Sequence, residues 1–238
     1  MKSVIIDGRM PAEMQRVLML LGYNLLPLPA LSTAPEAIGG HPDTLLFRLG
    51  DDIVTSCDYS DAAAYIFSDI RELYPDISVH FTSDVIGKRY PSDAVFNALT
   101  VGDKMFFRRG SISEKVISLA EKGGLRMIEV RQGYPACSTL VLSDSAVVTS
   151  DRGLAHSFRA EGLEVILISE GHISLPPYGY GFIGGASALD GDRLFFFGNI
   201  DLHPDAGVIR NAAERYGLTV YSLSDCPLAD LGGAVFLE

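Results

Sequence analysis

The sequence has no long apolar run and few charged residues. Although 47% of its 238 residues are hydrophobic, the richest stretch is interrupted by Asn24, Pro27 and Pro29, and a membrane helix needs roughly 18 to 20 uninterrupted apolar residues. The apolar run before Asp7 is too short for the core of a signal peptide. Only 21% of the residues are charged, a composition that excludes a disordered chain. We therefore expect a cytoplasmic protein with a large core.

Positive charge and cysteine are also scarce. The net charge is −11, and like charges form no block, so nucleic acid and an acidic membrane surface are not expected as partners. The negative net charge is compatible with a small cationic ligand. Cys57, Cys137 and Cys226 are odd in number and lack the spacing of a zinc site, which argues against a disulfide framework or a structural metal. We expect no cofactor, and the oligomeric state stays open.

The usual short motifs of catalysis and nucleotide binding are missing. No P-loop, nucleophile-elbow serine or zinc-protease motif occurs in the sequence. Residues 179–184 match G-x-G-x-x-G, but that pattern binds a dinucleotide only between a strand and a helix. Here a strand, an acidic turn and a second strand are predicted to follow. The glycines instead indicate that a loop at 176–178 passes close to a ligand site.

A pattern with a period of about 48 residues runs through the chain, and periods of roughly 20 to 50 are typical of propellers and solenoids. Each copy has an apolar strand, a tight turn, a second strand, a capped helix and a third strand. The last copy is split, with one strand at the carboxyl end and the remainder at the amino end. The approximate units of this single domain, 1–238, are 41–91, 92–137, 138–182, 183–233, and 234–238 joined to 1–40.

Glycine, proline and helix-capping residues indicate where the elements of each copy begin and end. The first strands are predicted at 44–49, 94–100, 138–143, 183–189 and 234–238. Helices are predicted to start at Asp61, at a capping box over 111–114, at Asp151, near Pro204 and at Pro11. An ordinary doubly wound α/β sheet with extra hairpins is the alternative; it requires a parallel sheet and a helix directly after Gly184.

The fivefold strand–strand–helix–strand pattern with a split unit resembles the pentein fold, the α/β propeller of the guanidino-group-modifying enzyme superfamily. The stretch GFIGGASALDGDRLFFFGNIDLHPD also resembles an uncharacterised bacterial family of that fold. The resemblance implies an α/β, five-fold pseudosymmetric propeller of ββαβ repeats. In such a ring the first strands surround a central channel, so polar residues at their starts meet although they are far apart in sequence.

The resemblance also implies site residues. Superfamily hydrolases use a Cys nucleophile, a His two units earlier and a carboxylate one unit before the His. The residues from His41 through Asp43 to Thr44 are similar to the His-x-Asp-Thr of deiminases, and Cys137 stands where the nucleophile is expected. The family's Glu-Gly-Gly is similar to residues 231–233, with Asp230 nearby. Cys137 would attack the guanidino carbon and form a thiouronium-type intermediate.

The residue types suit that reaction. A cysteine attacks as the thiolate, so its pKa of about 8.5 must be lowered by a neighbouring imidazolium or by the bound cation. Histidine titrates near pH 6.5 and can serve as general acid and base, the role implied for His41. Carboxylates such as Asp43 and Asp230 match the donor geometry of a guanidinium. The expected ligand is a small guanidino-type cation.

Three features of the sequence depart from the family's pattern, the first being that residues 133–136 before Cys137 lack the His or Gly-rich approach usual in the enzymes. The enzymes carry a further carboxylate in the unit where this chain has residues 182–187, which include no acid. The acid near residues 231–233 is displaced by one position. Pentein rings without catalysis exist, so a non-catalytic ring that binds a ligand or a protein at the channel mouth is the alternative function.

Other candidate residues have structural interpretations. Cys57 is predicted to be a structural residue of a second strand, whereas Cys226 follows a third strand and is the reserve nucleophile. His172 follows a third strand and is predicted to line the channel mouth as a substrate-binding residue. The triplet 203–205 is more simply the start of a helix.

Overall fold

Five three-stranded sheets account for every named strand in the computed structural model, which describes residues 2–238. The strands in chain order are β1 (Ser3–Asp7), β2 (Asn24–Leu28), β3 (Leu46–Leu49), β4 (Asp52–Ser56), β5 (Ser78–Thr82), β6 (Leu99–Val101), β7 (Lys104–Phe107), β8 (Arg126–Glu129), β9 (Thr139–Ser143), β10 (Ala146–Thr149), β11 (Glu164–Leu167), β12 (Ser187–Asp190), β13 (Arg193–Phe196), β14 (Thr219–Ser222) and β15 (Val235–Leu237).

Helices connect the strands of each sheet. The helices are α1 (Ala12–Leu20), α2 (Pro42–Leu45), α3 (Cys57–Ser60), α4 (Ala64–Leu73), α5 (Glu114–Lys122), α6 (Arg152–Ala160) and α7 (Ala206–Arg215), with single 3₁₀ turns at Glu36–Ile38 and Ile200–Leu202. Within residues 2–238, no helix combines the length and apolar character needed to cross a membrane.

Every sheet has the same internal order. The first strand runs antiparallel to the middle strand, and the third strand runs parallel to it. An antiparallel pair needs only a tight turn, whereas a parallel pair needs a longer crossover, and here the crossover is the helix. Gly50, Gly102 and Gly191 occupy positive φ in three of these turns, the region that glycine adopts without steric cost.

The middle strands lie at the centre of the packing. In β10 all four residues are buried, and Phe195 and Phe196 of β13 have no exposed surface. The helices cover one side of the sheets with an apolar face; Leu154, Ala155 and Phe158 of α6 are its buried residues. In this α/β arrangement the apolar face of each amphipathic helix packs on a sheet, and its charged residues face solvent.

One sheet combines both ends of the chain. β15 pairs antiparallel with β1, with Ser3 opposite Leu237, and β1 pairs parallel with β2. The doubly wound alternative is wrong, because the strands form separate mixed sheets instead of one parallel sheet. After Gly184 the chain also enters a turn and then β12, where that alternative requires a helix.

The first strands begin later than predicted. Those predicted at 44–49, 94–100 and 183–189 start at Leu46, Leu99 and Ser187. The residues before each strand form tight turns, as in the bonds from Thr44 N to His41 O and from Asn97 N to Ala94 O. An apolar run cannot distinguish a buried strand from a buried turn, and these turns carry the candidate site.

Two predicted helix caps are also wrong. Ser113, not Ser111, caps α5, with its Oγ accepting a hydrogen bond from Lys115 N at 3.2 Å. Asp61 is not an N-cap; it is the C-terminal cap residue of α3, whose N-cap is Ser56, and α4 begins three residues after it. The prediction at Asp151 is confirmed, since its Oδ1 accepts from Leu154 N at 2.8 Å.

Candidate active site

The segments that precede the five first strands contact one another. Each segment makes hydrogen bonds to the next one, so residues far apart in sequence meet at one place. In order, these bonds are Asp43 N to Gly232 O (3.2 Å), Asn97 Nδ2 to Asp43 O (3.1 Å), Ala136 N to Asn97 Oδ1 (2.9 Å), Gly185 N to Cys137 O (3.0 Å) and Leu231 N to Gly185 O (2.9 Å). The last of these bonds returns to the segment that holds Gly232, where the first one began.

Cys137 lies at this meeting point with its thiol enclosed. The residue is 7% exposed. Its Sγ donates to Asp43 Oδ2 at 2.7 Å and accepts from Asn97 Nδ2 at 2.9 Å. The other oxygen of Asp43, Oδ1, is buried without a hydrogen-bond partner within the described residues. A buried carboxylate oxygen normally has a donor, so this oxygen is an available acceptor beside the thiol.

His41 lies between two buried carboxylates. Its Nδ1 is 3.7 Å from Asp230 Oδ1, and its Nε2 is 3.8 Å from Asp7 Oδ2. Asp230 is held by backbone donors, Phe182 N at 2.8 Å and Gly232 N at 3.1 Å. Since His41 immediately precedes α2 and Asp7 ends β1, the chain fixes both by regular structure.

Burial dominates the electrostatics of the site. It raises the pKa of Asp43 to about 7, helped by the negative charge of Asp230, and it raises the pKa of Asp230 to about 6. The Cys137 thiol has a pKa well above its ordinary value because it is buried and because Asp43 and Asp230 repel a thiolate. Burial lowers the pKa of His41 to about 4. The imidazole is therefore neutral near pH 7, and no imidazolium lowers the pKa of the thiol.

The surroundings of Gly185 account for the absence of an acidic residue at 182–187, where the superfamily enzymes carry a further carboxylate. A Cβ at this position would collide with Oδ1 of Asp230. The space beside Gly185 is thus already filled by an acid from a different segment. This chain therefore supplies its buried carboxylates from the approaches to β3 and β15 and from the end of β1.

A cavity of about 280 Å³ opens onto the thiol. Its polar lining includes Cys137, His41, Asp230 and Asp93. A wider space of about 620 Å³ adjoins it and shares His41, Asp230 and two residues of the loop at 174–182. Rings and aliphatic groups form the remainder of the inner lining, namely Ile38, Tyr134, Leu175, Tyr178, Tyr180 and Phe182, together with Thr44 and Gly179.

A family model described as "Family of unknown function (DUF6873)" matches residues 5–235. The chain belongs to this family. A search of curated proteins gave no match.

Solved structures of similar fold cover nearly the whole chain. A DDAH from Pseudomonas aeruginosa, complexed with citrulline, is 11% identical with a TM-score of 0.59, covering 94% of this chain and 92% of its own. The amidinotransferase SxtG from Microseira wollei is 10% identical with a TM-score of 0.58, covering 96% and 93%. An agmatine deiminase from C. jejuni is 8% identical with a TM-score of 0.56, covering 93% and 87%. The pentein resemblance is thereby confirmed for the fold.

The structure does not bring every candidate to the site. His172 is exposed, packs its ring 5.5 Å from that of His203, and lines neither of the two cavities beside Cys137. Cys226 is exposed and lines neither cavity. Cys57 is also exposed, at the start of α3 instead of in a second strand. Each lies on a loop or helix end that faces solvent, so of the three thiols only Cys137 is enclosed by other site residues.

Four site residues were not predicted from the sequence. Asp7 and Asn97 contact His41 and Cys137, and Tyr134 donates its hydroxyl to Asp93 Oδ1 at 2.9 Å in the cavity wall. A polar residue that ends or interrupts an apolar run, as in SVIID and AVFNALT, is the signal that could have identified Asp7 and Asn97. Asp93 and Tyr134 lie in turn-rich segments where no such pattern exists.

Proposed function

We propose that the protein is a cysteine-dependent hydrolase of a guanidino compound, of deiminase or dihydrolase type. The observation that carries the proposal is the Cys137 thiol, which donates to Asp43 and lines a cavity that also presents His41 and Asp230. Cys57 and Cys226 are exposed and line neither of the two cavities beside Cys137.

The electrostatics support a cationic ligand. Burial raises the pKa values of Asp43 and Asp230, and the negative charge of Asp230 raises that of Asp43 further. A guanidinium would favour both carboxylates as anions, and its charge would offset the repulsion that raises the pKa of the Cys137 thiol. The free Oδ1 of Asp43 is an acceptor for one of its N–H groups. The ligand itself would then activate the nucleophile.

The reaction follows from these positions. The proton of the Cys137 thiol passes to Asp43 Oδ2 as sulfur bonds to the guanidino carbon. One C–N bond then breaks, and the proton held by Asp43 leaves with the departing amine, which leaves a thiouronium on Cys137. His41, neutral at pH 7, takes a proton from water as the oxygen attacks. The C–S bond breaks, His41 returns its proton to sulfur, and the hydroxyl proton of the released uronium passes through solvent to the departed amine. Guanidinium and water thus become a urea and an ammonium.

We also propose that residues 1–238 form one domain, a five-unit propeller whose last unit is shared by the chain ends. The cycle of hydrogen bonds among the five strand approaches supports this, as does the pairing of β15 with β1. A closed ring of units would keep the site rigid.

Trapping the intermediate tests the proposed function. A Cys57→Ser/Cys226→Ser protein is incubated with a panel of alkylguanidines and quenched in acid, and its intact mass is measured by mass spectrometry. The release of ammonium is followed in parallel. We expect turnover and an adduct on Cys137, no reaction after Cys137→Ser, and adduct accumulation after His41→Ala. Equal ammonium release with and without Cys137, or none with any guanidine, would contradict the proposal.

A non-catalytic ring is the second candidate function. The raised pKa of the ligand-free Cys137 thiol favours it, because an unactivated thiol does not attack. This function predicts that guanidines bind in the cavity while no adduct and no ammonium form. The same experiment, with a binding measurement on the unmodified protein, separates the two functions.

A further inference from the structure

Acidic side chains line both cavities beside Cys137, and they limit which charged groups a substrate can carry besides its guanidinium. Asp230 lies near the thiol, Asp93 lies in the wall of the inner cavity, and Glu36 lines the outer cavity. Asp93 is 6% exposed and Asp230 is 4% exposed, so water screens them weakly. A ligand carboxylate at any of these positions would meet an acid of the same sign.

Arg9 is the only cationic side chain among the lining residues of these cavities within the described chain, residues 2–238. Its Nε and Nη2 donate to the carboxylate of Asp7, and Nη1 and Nη2 also donate to the carbonyl oxygens of Glu36 (2.6 Å) and Ala37 (3.0 Å), so four of its five N–H groups are engaged. This guanidinium is already paired with a fully buried acid, and it ties the segment before His41 to β1. It offers no bidentate fork to a ligand carboxylate.

The inner walls are instead aromatic and aliphatic. Tyr134, Tyr178, Tyr180 and Phe182 present rings to the inner cavity, and Leu175 lies between the inner and outer spaces. Aromatic faces attract cations and bury alkyl groups. The loop at 174–182 supplies most of these groups, and bonds from Ser174 N to Leu228 O and from Gly181 N to Ile173 O hold it in place.

Building on the proposed function, we infer that the substrate is a guanidinium whose other substituent is apolar and carries no carboxylate, so that free guanidino acids are excluded. The acidic lining repels the carboxylate, and the paired Arg9 cannot receive it. The aromatic and aliphatic wall takes the apolar substituent.

A pair of ligands that differ by one charged group tests this inference. Butylguanidine and γ-guanidinobutyrate have the same number of carbons, and both are titrated calorimetrically into the Cys137→Ser protein, which binds without reacting. We expect butylguanidine to bind at least about tenfold more tightly, a difference of about 1.4 kcal/mol. Equal binding, or tighter binding of the acid, would overturn the inference. That result would leave the proposed function standing, because a guanidinium would still occupy the site.

A charge placed in the wall supplies a second test. Leu175→Lys puts a cation between the two spaces, and we expect it to reduce the preference for butylguanidine over γ-guanidinobutyrate by about tenfold. Leu202→Lys, at an exposed position outside both cavities, is the matched control and should leave the preference unchanged. An unchanged preference in both variants would contradict the inference. If neither ligand binds any of these proteins, the proposed function fails together with it.

Discussion

At the scale of single residues, Asp43 is the carboxyl group that contacts the Cys137 thiol. One of its oxygens accepts from the Cys137 thiol, and the other is buried with no donor. Burial and the nearby negative charge of Asp230 together raise its pKa to about 7. Strongly perturbed pKa values of this kind are common among the residues of functional sites.

Removing this carboxyl changes how stability depends on pH. Between about pH 4, the pKa of an unfolded aspartate, and the native value of about 7, the native protein holds a proton that the unfolded chain releases. The stability from this group is therefore full below about pH 4 and is lost as the pH rises to 7. We expect the free energy of unfolding of the wild type, relative to Asp43→Asn, to fall across this range in urea titrations.

The exposed Asp76→Asn variant is the control for this measurement, and its difference from the wild type should stay nearly flat. A difference between Asp43→Asn and the wild type that does not vary from pH 4 to pH 8 would contradict the account of Asp43.

At the scale of elements, the sequence allowed the order of strands and helices to be predicted, but not the turns that bear the site. The middle strands and the helices have clear periodicity, and α6 begins and ends within a residue of the prediction. Residues 94–98 have the same apolar character as a strand, yet their backbone groups bond within turns. Nothing local distinguishes the two, because the contacts that stabilise the turn, such as that of Asn97 with Cys137, involve residues far away in the sequence.

The start of α5 gives a test at this scale. Ser113 accepts from Lys115 N and donates to Asp84 Oδ2, whereas Ser111 donates only to Arg108 O. Loss of a helix cap costs roughly 0.5 to 2 kcal/mol. We expect Ser113→Ala to lower the free energy of unfolding by about 1 kcal/mol and Ser111→Ala to lower it by less, as measured by urea denaturation. A larger loss for Ser111→Ala would indicate that the capping box predicted from the sequence is the real start of the helix.

At the scale of the whole molecule, the two chain ends form adjacent antiparallel strands, as the two strands of a hairpin do. Ser3 lies opposite Leu237 in adjacent strands, and the ammonium of Lys2 is 2.9 Å from Glu238 Oε1. Circular permutation is tolerated where the new ends fall in exposed turns. The turn at Gly50 is exposed and lies between β3 and β4.

We expect a permutant joined by two glycines from residue 238 to residue 1, and opened after Gly50, to fold and unfold cooperatively as followed by circular dichroism. A permutant opened between Val147 and Val148, in the fully buried β10, should not fold. Failure of the first permutant would contradict the proposal that the ends complete one unit of a ring.

The most direct test of the central claim, that Cys137 is a nucleophile activated by a bound cation, is a comparison of two alkylating reagents. Chloroacetamidine carries an amidinium, and chloroacetamide is its neutral counterpart. Both react with the Cys57→Ser/Cys226→Ser protein at pH 7, and each rate is divided by the rate of the same reagent with a small free thiol. We predict that the amidinium reagent is favoured by at least about tenfold and that this preference is lost after Asp43→Asn. Equal normalised rates for the two reagents would contradict the claim.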